Sequence, residues 1–374
     1  MVINLPQGQL IEKKRSKREQ KSSLLLLKKS PEELRTKFFE LNSPRDVAKL
    51  LGISYGRLVY HIYIVSEANR YKTFEIPKRS GGVRQISTPR TALKIIQWKL
   101  NQVLQAVYKP KPSAHGFVPN KNIVTNAQAH SKKRYVLNLD LKDFFPSVNF
   151  GRVRGMFMGT PYSLNANVAT VLAQICCHNN QLPQGAPTSP IITNMICAKM
   201  DSQLQHLAKS CKATYTRYAD DITFSTTLKQ FPESLARVIT EEGEERVILG
   251  EPLLGIIAEN GFEVNEQKIR LQTKGNHQEV TGLTTNQFPN VDRRFVRQIR
   301  AMLHAWQKFG LEAAEAEHRE RYRNKANFPG KSESNFKEVL RGKIEFIGMV
   351  KGRNNEIYQK YLQWYVKLLK FGSN

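Results

Sequence analysis

Two adjacent aspartates, Asp220 and Asp221, sit between Tyr215-Thr216-Arg217 and Ile222-Thr223-Phe224-Ser225, runs rich in β-branched and aromatic residues that read as strands. The pattern predicts a β-hairpin with an acidic tip, Tyr218-Ala219-Asp220-Asp221. Two like charges side by side repel unless a cation neutralises them. A hard divalent ion suits, because it takes oxygens from one or two carboxylates plus substrate phosphates. An acidic pair is also ordinary in a solvated turn, so other parts of the chain must decide. Tyr135-Val136-Leu137-Asn138-Leu139-Asp140-Leu141 alternates apolar and polar residues as a half-buried strand does, and Pro146 soon stops regular pairing. Asp140 at that strand's end would complete a set of three carboxylates, the arrangement that two-metal phosphoryl transfer needs. Asp143 reads as a turn or supporting residue.

Several blocks then resemble the reverse transcriptase family and its right-hand polymerase palm. Leu139-Asp140-Leu141-Lys142-Asp143-Phe144-Phe145 is similar to the first palm motif, and Leu182-Pro183-Gln184-Gly185-Ala186-Pro187-Thr188-Ser189-Pro190 to the Gln-Gly-x-x-x-Ser-Pro block. Tyr218-Ala219-Asp220-Asp221 resembles the catalytic box. Gly261-Phe262-Glu263-Val264-Asn265-Glu266-Gln267-Lys268 resembles the motif that follows it, and Val280-Thr281-Gly282-Leu283 falls where the primer-grip block stands. Five blocks in the family's order are far less expected by chance than any one alone, and the resemblance runs from about residue 74 to 288. Asn126-Ala127-Gln128-Ala129-His130 matches the Asn-Ala-x-x-His block of retron reverse transcriptases, Val280-Thr281-Gly282 their Val-Thr-Gly block, and Ala114-His115-Gly116-Phe117-Val118-Pro119 is also retron-like.

The resemblance implies an α+β fold: a right-hand polymerase with fingers, a palm of antiparallel sheet packed on helices, and a mostly helical thumb. It implies that Asp140, Asp220 and Asp221, with the Leu141 carbonyl, hold two Mg²⁺ ions, Mn²⁺ being a substitute. Lys268 matches the motif lysine thought to protonate pyrophosphate. Nucleotide contacts would come from Lys78, Arg84, Phe145, Gln184, Gly185 and Tyr218, with Phe145 excluding a 2′-OH by sterics. RNA or primer contacts would come from Asn126, His130, Val280, Thr281, Gly282, Arg293, Arg297 and Arg300. By itself, His130 reads more readily as a structural histidine. The implied activity is RNA-directed DNA polymerisation on a cognate noncoding RNA (msr-msd), using dNTPs and priming from a guanosine 2′-OH to give branched, RNA-linked msDNA. A separate effector protein, host RNase H and a part in antiphage defence come with it. Two alternatives stay open: a group II intron-like or other bacterial reverse transcriptase, and a noncatalytic RNA-binding protein on a polymerase palm.

Charge and spacing fill in the organisation. With 58 Lys and Arg against 32 Asp and Glu, the formal net charge of +26 points to a polyanionic partner. No apolar run nears the ~18–20 residues needed to cross a membrane, so a cytoplasmic protein with no membrane partner is expected. Cys176, Cys177, Cys197 and Cys211 lack Cys-x-x-Cys spacing, which argues against zinc and a disulfide framework. Residues 1–30 read as a basic arm, 31–72 as a helical extension, 73–288 as fingers and palm, and 289–374 as helical thumb and RNA-binding region. Ser30-Pro31 and Ser43-Pro44 carry helix-start signals. Phe74–Arg79 and Val83–Ser87 flank Ser80-Gly81-Gly82 as a basic hairpin, and Thr91 to Tyr108 reads as a helix. The acidic stretch 233–251 is expected to be a solvated helix face, and Arg293, Arg297 and Arg300 a basic helix face ended by Gly310. Trp364 and Tyr365 are expected in core packing.

Overall fold

The computed structural model describes residues 26–78, 81–241, 244–323 and 335–371. The expected basic arm as far as residue 25, Arg79 with Ser80, and residues 324–334 of a linker-like stretch lie outside the described residues. Helices and antiparallel strands both contribute, which makes the fold α+β. The chain forms two compact units. The first takes the described residues through Glu75, then Val83–Lys111 and Asp143–Lys199; the second takes Ile76–Gly82, Pro112–Lys142 and the described residues from Met200 on.

Helix starts in the first unit follow from local chemistry. The Ser30 hydroxyl accepts from the Glu33 amide while the Glu33 carboxylate accepts from the Ser30 amide, a reciprocal cap on Pro31–Phe39. Ser43 and Asp46 cap Pro44–Leu50 in the same way. Thr91–Val107 buries Leu93, Ile96, Leu100, Val103 and Val107, the stripe that helical spacing predicts. Phe38 packs against Phe157 and Tyr162 with ring centroids 6.4 and 6.2 Å apart. β1 (Tyr71–Pro77) and β2 (Val83–Pro89) form a two-stranded hairpin.

The second unit is organised by an antiparallel sheet of four strands: β3 (Tyr135–Asp140), β4 (Thr214–Tyr218), β5 (Asp221–Thr226) and β8 (Arg270–Thr273), in the spatial order β4-β5-β3-β8. The β3–β5 register runs from Tyr135 opposite Thr226 to Asp140 opposite Asp221. The acidic stretch corrects an expectation: β6 (Ala236–Glu241) pairs with β7 (Glu244–Leu249) as a hairpin, and only Glu251 starts a helix, Glu251–Glu259. The β-branched residues Val238, Ile239, Val247 and Ile248 favour strands, whatever the charge around them.

Two short strands, β9 (Glu279–Val280) and β10 (Leu283–Thr284), follow. The helix Arg293–Arg323 is broken by Gly310 at φ 82, and Phe336–Lys351 and Glu356–Phe371 complete the unit. Ile299, Leu303, Trp306, Leu340, Ile344, Tyr361 and Tyr365 share one buried cluster with Val136, Val280 and Leu283, and Trp364 packs half-buried against it. Among the described residues no helix is long and apolar enough to cross a membrane.

Candidate active site

The acidic residues meet because three backbone contacts converge on one end of the sheet. Directly opposed residues of an antiparallel pair present their side chains on the same face, with Cβ atoms about 4.5–5.5 Å apart. Asp140 and Asp221 are such a pair. Asp220 occupies the turn between β4 and β5, after Ala219 at φ 57. The Leu141 amide donates to the Asp220 carbonyl at 3.0 Å, which draws the turn against the end of β3. The N–H and C=O of one strand residue point to the same edge, so the Leu141 carbonyl also aims at the acidic turn. On the other edge Leu141 bridges Val264, and the Asn265 amide donates to the Asp140 carbonyl at 2.8 Å.

Countercharge comes from a lysine. Lys268 Nζ lies 2.8 Å from Asp140 Oδ2, and Asn265 Nδ2 lies 3.5 Å from Oδ1. The Asp140 side chain is 10 % exposed and that of Lys268 51 %, so the pair is half open to exchange with an incoming cation. Asp221 keeps an exposed edge although protein surrounds most of it. That surrounding desolvation, followed by the like charges of Asp220 and Asp140, pushes its carboxyl up to about 7 against the pull of Lys268 and Arg270. Tyr218, opposite Asp221 in the β4–β5 register, is half-buried and its phenol is raised by burial and then by the Asp221 charge.

Among the described residues no group of three or more His, Cys, Asp or Glu side chains is drawn together closely enough to cage an ion unaided. The donors nevertheless fit a hard divalent ion that takes its remaining oxygens from a nucleotide: carboxylates and a carbonyl on one edge, with a displaceable ammonium holding one of them. Asn265 and Arg270 are parts of this site that motif reading did not assign; both sit on the segment that brings Lys268 to Asp140.

The remaining expected residues divide between the units. Arg84, Phe145, Gln184 and Gly185 belong to the first unit, Lys78 and Tyr218 to the second. Lys78 and Arg84 are exposed on the basic hairpin. The Gln184 carbonyl accepts from the Ser87 amide at 2.9 Å, and Gly185 takes φ 126 where a Cβ would stand 3.0 Å from Ile86 Cγ2 and 3.2 Å from the Ser87 carbonyl oxygen. Phe145 is half-buried with its ring edge-to-face on Phe144 at 5.4 Å. Arg293, Arg297 and Arg300 are exposed along one helix.

Asn126, His130 and Val280 correct the expectation of direct nucleic-acid contact, since each is wholly buried. His130 bridges the paired strands β4 and β5: Nδ1 is 2.7 Å from Ser225 Oγ and Nε2 is 2.7 Å from Thr216 Oγ1. Burial, then the charges of Lys133 and His115, pushes its imidazole down to about 3, so it stays neutral. Asn126 Nδ2 reaches Thr281 Oγ1 at 3.5 Å, and Thr281 Oγ1 donates to the Ile123 carbonyl at 3.3 Å. The Asn-Ala-x-x-His and Val-Thr-Gly blocks thus bind each other and the sheet, leaving Gly282 at the surface with φ 80.

The family described as reverse transcriptase (RNA-dependent DNA polymerase) matches residues 76–286. The chain is 40 % identical over 283 residues to the Retron Mx65 reverse transcriptase of Myxococcus xanthus, covering 69 % of this chain and 62 % of that protein. It is 38 % identical over 314 residues to the Retron Mx162 reverse transcriptase of the same organism, covering 77 % and 64 %. It is 34 % identical over 266 residues to the Retron Ec86 reverse transcriptase of Escherichia coli, covering 71 % and 78 %. The match thus spans somewhat under two thirds of the length of the two Myxococcus relatives.

Proposed function

This chain belongs to the reverse transcriptase family and to its retron type, and from that premise we propose that it is an RNA-directed DNA polymerase whose reaction centre is the acidic end of the β3–β5 pair. The observation that carries the reading is the in-register Asp140–Asp221 pair with Asp220 fastened beside it through the Leu141 amide. Mg²⁺, with Mn²⁺ as a substitute, would be held by Asp140, Asp220, Asp221 and the Leu141 carbonyl. When bound, such ions stabilise charge on the attacking and leaving oxygens of phosphoryl transfer. Lys268 neutralises Asp140 before the substrate arrives and would protonate the departing pyrophosphate, a role its exposed ammonium 2.8 Å from Asp140 supports. Lys78 and Arg84 attract the triphosphate, the Gly185 backbone permits close approach, Gln184 and Tyr218 orient the nucleotide, and the Phe145 ring excludes a 2′-OH.

The template in this reading is a cognate structured noncoding RNA. Synthesis starts from a guanosine 2′-OH and leaves branched msDNA, in the cytoplasm, with host RNase H removing the copied RNA and a separate effector completing an antiphage system. In domain language, residues 73–288 serve as fingers and palm and 289–374 as the thumb, whose Arg293, Arg297 and Arg300 track a nucleic-acid backbone. Its net charge of +26 supports a polyanionic partner. Purified protein, primed RNA template, dNTPs and Mg²⁺ test the centre. Wild type incorporates nucleotide, and Asp220→Asn loses more than about 100-fold, beyond the usual cost of removing an outer supporting group. No incorporation by wild type, or equal incorporation by the variant, sinks the reading.

A further inference from the structure

A wholly buried ion pair lies directly behind the acidic turn. Arg217, on β4, and Asp201, on the helix Ala198–Ser210, are both 0 % exposed. Arg217 Nε donates to Asp201 Oδ1 at 2.8 Å and Nη2 to Oδ2 at 2.7 Å. The Tyr215 hydroxyl adds a bond to Oδ1 at 2.7 Å. The guanidinium is thereby fixed in plane by its carboxylate. Its Nη1 donates to the Ala219 carbonyl at 3.0 Å.

That carbonyl belongs to the peptide joining Ala219 to Asp220. The peptide is planar, so the group that holds its oxygen also sets the direction in which the Asp220 Cα leaves it. Ala219 is in the left-handed region at φ 57, where a non-glycine residue costs roughly 1–2 kcal/mol and persists only if its surroundings hold it. Two further contacts act on the same turn. Gly116 packs so closely that a Cβ there would stand 2.3 Å from the Ala219 nitrogen, and the Leu141 amide holds the Asp220 carbonyl. A buried ion pair is seldom a net source of stability, since apolar residues of similar volume often do as well. A planar fork reaching a carboxylate and a strained carbonyl together is something apolar residues cannot supply.

We propose that Arg217, held in plane by Asp201 and Tyr215, is a positioning residue that sets the Asp220 carboxylate for the divalent ion by gripping the Ala219 carbonyl. This deepens the polymerase reading and rests on it for the identity of the bound ion's task. Manganese binding to the full chain, followed by electron paramagnetic resonance with a dNTP present but no primer or template, tests it in wild type, Arg217→Lys and the double variant Asp201→Leu/Arg217→Met. Lysine keeps the charge but cannot reach both acceptors, and the double variant removes the pair without stranding a buried charge. Both are expected to melt cooperatively and to bind Mn²⁺ about 10–100-fold more weakly. In the incorporation assay the Mg²⁺ needed for half-maximal rate rises in parallel, while KM for dNTP at saturating Mg²⁺ moves less than about 3-fold. A folded double variant with wild-type Mn²⁺ affinity overturns the proposal and leaves the pair as core packing. If neither variant folds, Tyr215→Phe decides: Mn²⁺ affinity lower by about 3-fold supports positioning, in line with the removal of one hydrogen bond, and an unchanged affinity overturns it. The resonance arm needs no turnover. A wild-type chain that binds Mn²⁺ but extends no primer therefore defeats the polymerase reading separately.

Discussion

The Asp221 carboxyl, pushed up to about 7, binds a proton in the folded state across a range where the unfolded chain does not. Its folded value lies above the unfolded one, so ionising it costs stability increasingly as pH rises from about 4 to 7, and fully above that. Asp221→Asn removes this cost. Asp221 is solvent-exposed, so screening leaves only a fraction of that cost, and the metal-free variant is expected to melt roughly 2–4 °C higher than wild type at pH 8, equivalent to about 1 kcal/mol, with the gain vanishing near pH 4. Differential scanning calorimetry with a chelator present checks it; a variant less stable than wild type at pH 8 refutes it.

His130 has the opposite sign. Its imidazole is pushed down to about 3, below the unfolded value, so its stabilisation is complete above about pH 6.5 and is lost as pH falls toward 3. His130→Ala strands the Ser225 and Thr216 hydroxyls and should cost about 2–3 kcal/mol in denaturant melts, with RNA affinity per folded molecule unchanged. An RNA affinity that drops while stability holds would return His130 to the nucleic-acid surface.

At the scale of elements, the turn around Gly185 and the long basic helix are the most open to test. Gly185→Ala places a methyl against Ile86 and the Ser87 carbonyl at a φ of 126 that side chains rarely adopt. We expect a loss of about 1–3 kcal/mol by urea unfolding; a neutral effect would mean that the turn reshapes freely. The helix Arg293–Arg323 turns Ile299, Leu303 and Trp306 inward and Arg293, Arg297 and Arg300 outward. Replacing the three arginines by glutamine should leave the melting temperature within about 2 °C and reduce the slope of log affinity against log salt by roughly 0.7–0.9 for each phosphate that is no longer neutralised. An unchanged slope in filter binding would remove this helix from the nucleic-acid surface. Capped helix starts, the acidic hairpin and the Thr91–Val107 stripe are legible in the sequence because each is a local pattern. The acidic stretch reads as helix only when its glutamates are weighted above the β-branched residues Val238, Ile239, Val247 and Ile248, and the strands follow the latter.

Across the whole molecule, the net charge of +26 predicts association with RNA that weakens steeply with salt, at about 0.7–0.9 in slope per neutralised phosphate. Titration of RNA binding between low and high potassium chloride measures it, and a flat response would assign the positive charge to another task. The two compact units interleave along the chain, each built from separated segments. Consequently Asp140, in the second unit, stands only five residues before Phe145, in the first.

From its residues alone the chain dictated its motif order, its acidic hairpin, its helix caps and its own strongly positive charge, because composition, propensity, periodicity and turn chemistry act at the level of single residues and a few neighbours. Folding in three dimensions decided which polar residues became interior struts. His130 found hydroxyls 86 and 95 positions away and Arg217 closed on Asp201, while from the surface Lys268 reached the buried Asp140 across 128 positions. A buried polar group is stable only where partners complete its hydrogen bonds, and distant segments supply those partners only when they pack.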